Sequence, residues 1–219
     1  MNASITSKQK SHLLEVGASF GRSAGRDVAG LILKQVEVKD FQSFLGRTNR
    51  IKRAMLAAGL DEAKKIANAP ELLKPIPFIP AAFCGTGWEF DPNEPQDANS
   101  LALKRLDPLN VAFESFLEER ESVITGEERL ARAKTQNRVR LDARWFMALL
   151  KEEGYKTLEW FFATYGVEWI EFLGSPLRTP RGRRFSLVLS RDDDCTWDWH
   201  YDWLDIDRLA SDHAAVLAS

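Results

Sequence analysis

The sequence predicts an α+β protein, mainly helical, with a small antiparallel C-terminal sheet (a hairpin plus one strand) and a C-terminal helix. Three observations predict it. Apolar residues recur at helical spacing through much of residues 40–165. The pattern turns to strict alternation after Gly166. Seven Trp and thirteen Phe in 219 residues supply enough apolar surface for a core without disulfide support.

The elements follow in order. Gly17, Gly21 and Gly25 recur every fourth residue, but no GK[ST] follows, so this is not a phosphate loop. Residues 28–38 are rich in β-branched side chains; helix is preferred there over strand. From Asp40, the residues Phe41, Phe44, Leu45, Ile51, Met55 and Leu56 mark a helix that Gly59 stops. Asp61 opens a short helix that ends before Pro70.

Residues 70–108 hold seven of the nine prolines, with Phe78, Phe83, Trp88 and Phe90 among them. That composition predicts an extended connection held against the core by its aromatics. Asp107-Pro108 then starts a helix carrying Leu109, Ala112, Phe113, Phe116 and Leu117. Thr125-Gly-Glu-Glu128 fits a capping box for a longer helix reaching Gly154. A third helix runs from Lys156 to Tyr165, closed by Gly166.

Strands are expected over Val167–Leu173, Phe185–Leu189 and Thr196–Trp203, the last two joined as a hairpin by the turn around Asp192, Asp193 and Asp194. A helix is expected from Asp205, with Ile206, Leu209, Ala210, His213 and Leu217 on one side. The domains are then 1–69, an N-terminal helical region; 70–108, the Pro-rich connection; and 109–219, helices followed by the sheet and terminal helix. One domain overall is the alternative.

Compartment and cofactors are bounded by composition. Cys84 and Cys195 are the only cysteines and form no CxxC pair, so no disulfide framework is expected. The polar start Met1–Lys10 and the lack of a long apolar run predict a cytoplasmic protein with no membrane partner. No cofactor is expected.

The net charge of −2 argues against a histone-like basic protein, but it conceals four opposed blocks. Residues 1–75 hold 13 Lys/Arg against 7 Asp/Glu, residues 76–127 hold 3 against 10, residues 128–191 hold 13 against 7, and residues 192–219 hold 1 against 8. The blocks either neutralise one another in the fold or face different ways.

Three function classes follow. The first is a non-enzymatic nucleic-acid-associated accessory protein. Its phosphate contacts would be Arg138, Arg140 and Arg144, the loop Arg178, Arg181, Arg183 and Arg184, and the cluster Arg47, Arg50, Lys52 and Arg53. Arg suits phosphate because its planar fork makes paired hydrogen bonds. Nearby aromatics would stack on bases.

The second is a protein-interaction module: a complex subunit, an inhibitor or an immunity-type adaptor. Alternation along CTWDWHYDW puts Trp197, Trp199 and Trp203 on one face, where they would anchor a protein partner. The third is a metal-dependent hydrolase at Asp198, His200 and Asp202, which share the opposite face. Solvent exposure of a half-buried hairpin explains the same pattern without a metal. No GxSxG elbow supports a serine nucleophile. Acids interleaved among the arginines would favour the interaction module over nucleic-acid binding.

Overall fold

The structure, a computed structural model, describes residues 60–218. The chain divides into two compact units, Met1–Ala69 and Pro70–Ser219. The glycine-spaced start, the 28–38 segment and the helix expected over Phe41–Leu56 lie outside the described residues. In the first unit, α1 (Leu60–Ala67) opens one residue before Asp61. Its last turn is closed by Asn68 N–H, which donates to the Lys64 carbonyl at 2.9 Å.

The second unit is organised by a sheet, and the expectation of a mainly helical chain is corrected to a mixed α/β fold. Six strands form the main sheet: β1 (Glu89–Phe90), β2 (Val111–Glu114), β4 (Trp169–Arg178), β5 (Arg184–Arg191), β6 (Trp197–Trp203) and β8 (His213–Leu217). Their order is β2-β8-β4-β5-β6, with β1 beside the far end of β4. β4 and β8 run parallel; the other pairs are antiparallel. A separate two-stranded ribbon joins β3 (Val123–Thr125) to β7 (Asp207–Leu209).

The helices of this unit are short: α2 (Pro80–Phe83), α3 (Ala98–Ala102), α4 (Gly126–Thr135), α5 (Ala143–Leu150) and α6 (Lys156–Tyr165). Thr125 caps α4, its hydroxyl accepting from Glu128 N–H at 3.2 Å, but the Glu128 carboxylate accepts from Arg132 Nε at 2.8 Å rather than closing the box. Gly166 closes α6 at φ 67. The three expected strands and their hairpin are present as β4, β5 and β6.

Three expected helical segments are not as predicted, each for a physical reason. After Asp107 and Pro108 only a single 3-10 turn forms, Pro108–Asn110, because Val111–Glu114 finds its main-chain partners in β8. The long helix breaks at Asn137, which sits at φ 53, a left-handed conformation that no helix can pass through. Residues 139–141 then lie along β8: Leu217 N–H donates to the Val139 carbonyl at 2.9 Å and Leu141 N–H to the Ala215 carbonyl at 3.0 Å. Gly174 permits this approach, since a Cβ there would stand 2.3 Å from the Arg140 carbonyl oxygen.

The third segment is the tail, which is strand rather than helix. Ala214, Ala215 and Val216 are almost fully buried inside the sheet. A strand buried on both faces carries no alternation, and a short apolar run reads equally as helix.

Helices α5 and α6 cover one face of the sheet, where Phe146 of α5 meets Phe172 edge-on at 5.5 Å and Phe161 of α6 meets Phe113 at 4.9 Å. On the other face Leu130 and Ala133 of α4 pack with Ile124, Leu173, Leu204, Ala214 and Val216. Phe78 and Phe83 of the Pro-rich segment contact each other at 5.2 Å and both contact Phe146. Among the described residues no helix is long and apolar enough to cross a membrane.

Candidate functional site

Among the described residues, four of the arginines singled out in the sequence, Arg138, Arg140, Arg144 and Arg184, each pair with an acid. Arg138 pairs with Glu114. Arg140 hydrogen-bonds Asp97 through Nε at 3.1 Å and faces Glu94 at 3.8 Å. Arg144 binds Asp142 at 2.8 Å, and that hydrogen bond raises its pKa further. Arg184 reaches Asp91 and Glu127, each at 2.5 Å. Five of the acids, Glu114, Asp97, Glu94, Asp91 and Glu127, come from the 76–127 block. Two opposed charge blocks therefore meet within the second unit.

The loop between β4 and β5 keeps part of its cationic character. Arg183 lies over the Trp203 ring at 3.2 Å and beside Asp205 at 3.5 Å. Arg181 is exposed at the loop tip, and Arg178 is half-buried. Arg47, Arg50, Lys52 and Arg53 lie outside the described residues.

The hairpin β5–β6 starts from a tight turn. Cys195 N–H donates to the Asp192 carbonyl at 2.8 Å, and Cys195 sits at φ 66. Alternation along β6 is as the sequence implies, but the three tryptophans differ. Trp197 is buried, its Nε1 donating to Glu159 at 2.8 Å. Trp199 is half-buried beneath Phe83, ring centres 4.4 Å apart. Trp203 is 39% exposed, and Tyr201, which the sequence did not single out, is 42% exposed.

β6 is the last strand in the order, so one of its edges is unpaired. Leu204 N–H donates to the Arg184 carbonyl at 3.1 Å, so even-numbered residues direct their main chain toward β5. The period of two turns the main chain of Trp197, Trp199, Tyr201 and Trp203 outward. Two of those N–H groups are already taken: Trp199 N–H donates to Asp198 at 2.7 Å and Trp203 N–H to Asp202 at 2.9 Å. The Trp203 carbonyl accepts from Arg208 at 2.9 Å. The carbonyls of Trp197, Trp199 and Tyr201 have no protein donor among the described residues.

The proposed metal ligands do not form a ligand set. Asp202 is bound to Trp203 N–H and, at 3.2 Å, to Arg208. His200 packs against the Trp169 ring at 4.8 Å, and burial lowers its pKa despite the attraction of Asp202, Asp198 and Asp192. Among the described residues no group of three or more His, Cys, Asp or Glu is placed to hold a metal ion. Burial pushes the Cys84 thiol up to about 11, so it offers little thiolate for nucleophilic attack.

An ion cluster that the sequence reading missed lies beneath the same face of the sheet. Glu171 of β4, Arg129 of α4 and Arg208 of β7 are all fully buried. Glu171 accepts from Arg129 Nη1 at 3.0 Å, Arg208 Nη2 at 3.1 Å and the Ser186 hydroxyl at 2.5 Å. Burial lowers the pKa of Arg129, against the pull of Glu171. One signal was available: Arg208 is the single basic residue of the 192–219 block. With it buried, every exposed charge of that block is acidic.

No protein-family model, no curated protein and no solved structure matches this chain.

Proposed function

We propose that this protein is an interaction module, without chemistry of its own, that docks a protein partner along the free edge of β6. One contrast supports the reading. Arg138, Arg140, Arg144 and Arg184 are each paired with an acid of the same fold, whereas the β6 edge offers outward carbonyls beside exposed Tyr201 and Trp203. Unpaired strand edges add partner strands through main-chain hydrogen bonds, and exposed aromatics anchor interfaces.

A photo-crosslinking residue at position 201 of the full chain tests it, in cells that make the protein. The expected result is a discrete adduct that resists nuclease and is removed by protease. The same probe at exposed Lys151 of the α5 end gives none. Equal labelling at both positions, or none at 201, removes the reading.

Nucleic-acid binding is the second reading, and it rests on exposed Arg181 and half-buried Arg178 of the β4–β5 loop. It requires salt-sensitive retention of short DNA or RNA that Arg181→Ala weakens. Retention with those properties would displace the interaction module.

A further inference from the structure

From the geometry of the β6 edge we infer that its partner is an extended, arginine-bearing protein segment, paired as an added strand. The inference rests on the interaction-module reading and names the chemistry of the partner. The edge is rich in acceptors. Carbonyls of Trp197, Trp199 and Tyr201 point outward, and the N–H groups of Trp199 and Trp203 are occupied by aspartates. A segment offering donors fits such an edge; one offering carbonyls finds fewer partners than on an ordinary strand.

Charge selects against a second copy of this chain. Antiparallel pairing of two β6 strands would bring Asp198 and Asp202 of one copy against those of the other. Like charges set across a strand pair are destabilising. Exposed Asp192, Asp193 and Asp198 lie at the hairpin end, and no basic partner answers them among the described residues. Asp205 and Asp207 stand exposed at the other end.

The aromatic face shows what an arginine does here. Arg183 of the same chain lies 3.2 Å above the Trp203 ring with Asp205 close by. Tyr201, two residues earlier on the same face, presents a 42% exposed side chain flanked by Trp88 at 4.6 Å. A second guanidinium stacks there by the same attraction to the ring quadrupole. Asp198 and Tyr201 are three positions apart and therefore on opposite faces. A partner strand bearing arginines three residues apart places one beside Asp198 and the other over Tyr201.

The test uses the full chain and a synthetic peptide of about eight alternating Thr and Val residues. Arginine replaces two of them, three residues apart. Affinity is read by fluorescence anisotropy, and the docking position by hydrogen exchange over residues 197–203. The expected result is protection confined to 197–203, with affinity about tenfold above that of the same peptide carrying Gln. Asp198→Asn keeps the Trp199 N–H acceptor and removes only charge. Tyr201→Leu keeps apolar area and removes the ring. Each is expected to lower affinity severalfold with an unchanged circular dichroism spectrum, and high salt is expected to weaken the wild-type complex.

Equal binding and protection by the Gln peptide would overturn the arginine inference and leave strand docking standing. Protection outside 197–203 would overturn it as well. No protection by any peptide, together with no crosslink at position 201, would remove both.

Discussion

The two faces of the central sheet are held by different physics. One face is aromatic: Phe146, Phe172, Phe83 and Trp199 meet at ring separations of 4.4–6.3 Å. The other carries the buried Arg129–Glu171–Arg208 cluster beside a small aliphatic core. The aromatic face is stabilised in proportion to the area removed from water, so losing one ring removes that ring's share and leaves a cavity. The ionic cluster does not divide that way. Both arginines share the Glu171 carboxylate, and removing it strands Arg129 and leaves Arg208 with Asp202 alone.

The largest effect is therefore expected at Glu171. Glu171→Gln should lower stability by about 4 kcal/mol in urea denaturation of the full chain. Replacing all three ions at once with Met and Leu should recover most of it, because no uncompensated charge then remains buried. If the triple variant is as unstable as Glu171→Gln, the two faces do not differ in the way described.

On the aromatic face, Phe146→Ala should cost about 3 kcal/mol through lost transfer energy and a residual cavity. Phe146→Leu should cost only about 1 kcal/mol, since most of the volume is kept. A Leu variant as damaging as the Ala variant would mean that ring geometry, not area, holds this face.

The histidines sharpen the contrast through pH. Burial lowers the folded-state pKa of His200 and of His213 below the ordinary value near 6.5. The unfolded chain then binds more protons as acidity rises, so stability is full above about pH 6.5 and declines as pH falls through the folded values. The urea midpoint should drop between pH 7.5 and 5.5, and His200→Gln with His213→Gln should flatten that slope. A slope unchanged in the double variant would assign it to other groups.

The smallest effect is expected at the hairpin turn. Cys195 occupies a left-handed conformation that costs a side chain about 1 kcal/mol relative to glycine. Cys195→Gly should raise the midpoint modestly and leave the β6 edge unchanged in hydrogen exchange.

Legibility in the sequence followed the locality of the signal. Asp107, Thr125 and Gly166 mark element ends through contacts within a few residues; Thr125 and Gly166 bound the helices expected there, whereas Asp107 caps only one 3-10 turn. The hairpin of β5 and β6 was legible because apolar and polar residues alternate along β6 and a polar turn, Asp192–Asp194, precedes it. The tail was not, because β8 is enclosed by β2 and β4 and shows no alternation to read. The candidate site was legible in part. CTWDWHYDW announced an unusual strand, but which rings stay exposed depends on Phe83 covering Trp199 and Glu159 holding Trp197.

The sequence by itself determined the ends of local elements, the alternation of β6 and the existence of opposed charge blocks, because each is a property of neighbouring residues. Tertiary structure alone decided that acids of residues 76–127 neutralise arginines of residues 128–191. It decided too that Glu171 lies buried between two arginines and that β6 ends the sheet. Those outcomes join residues tens of positions apart, and only long-range strand pairing and burial choose among the pairings that composition allows.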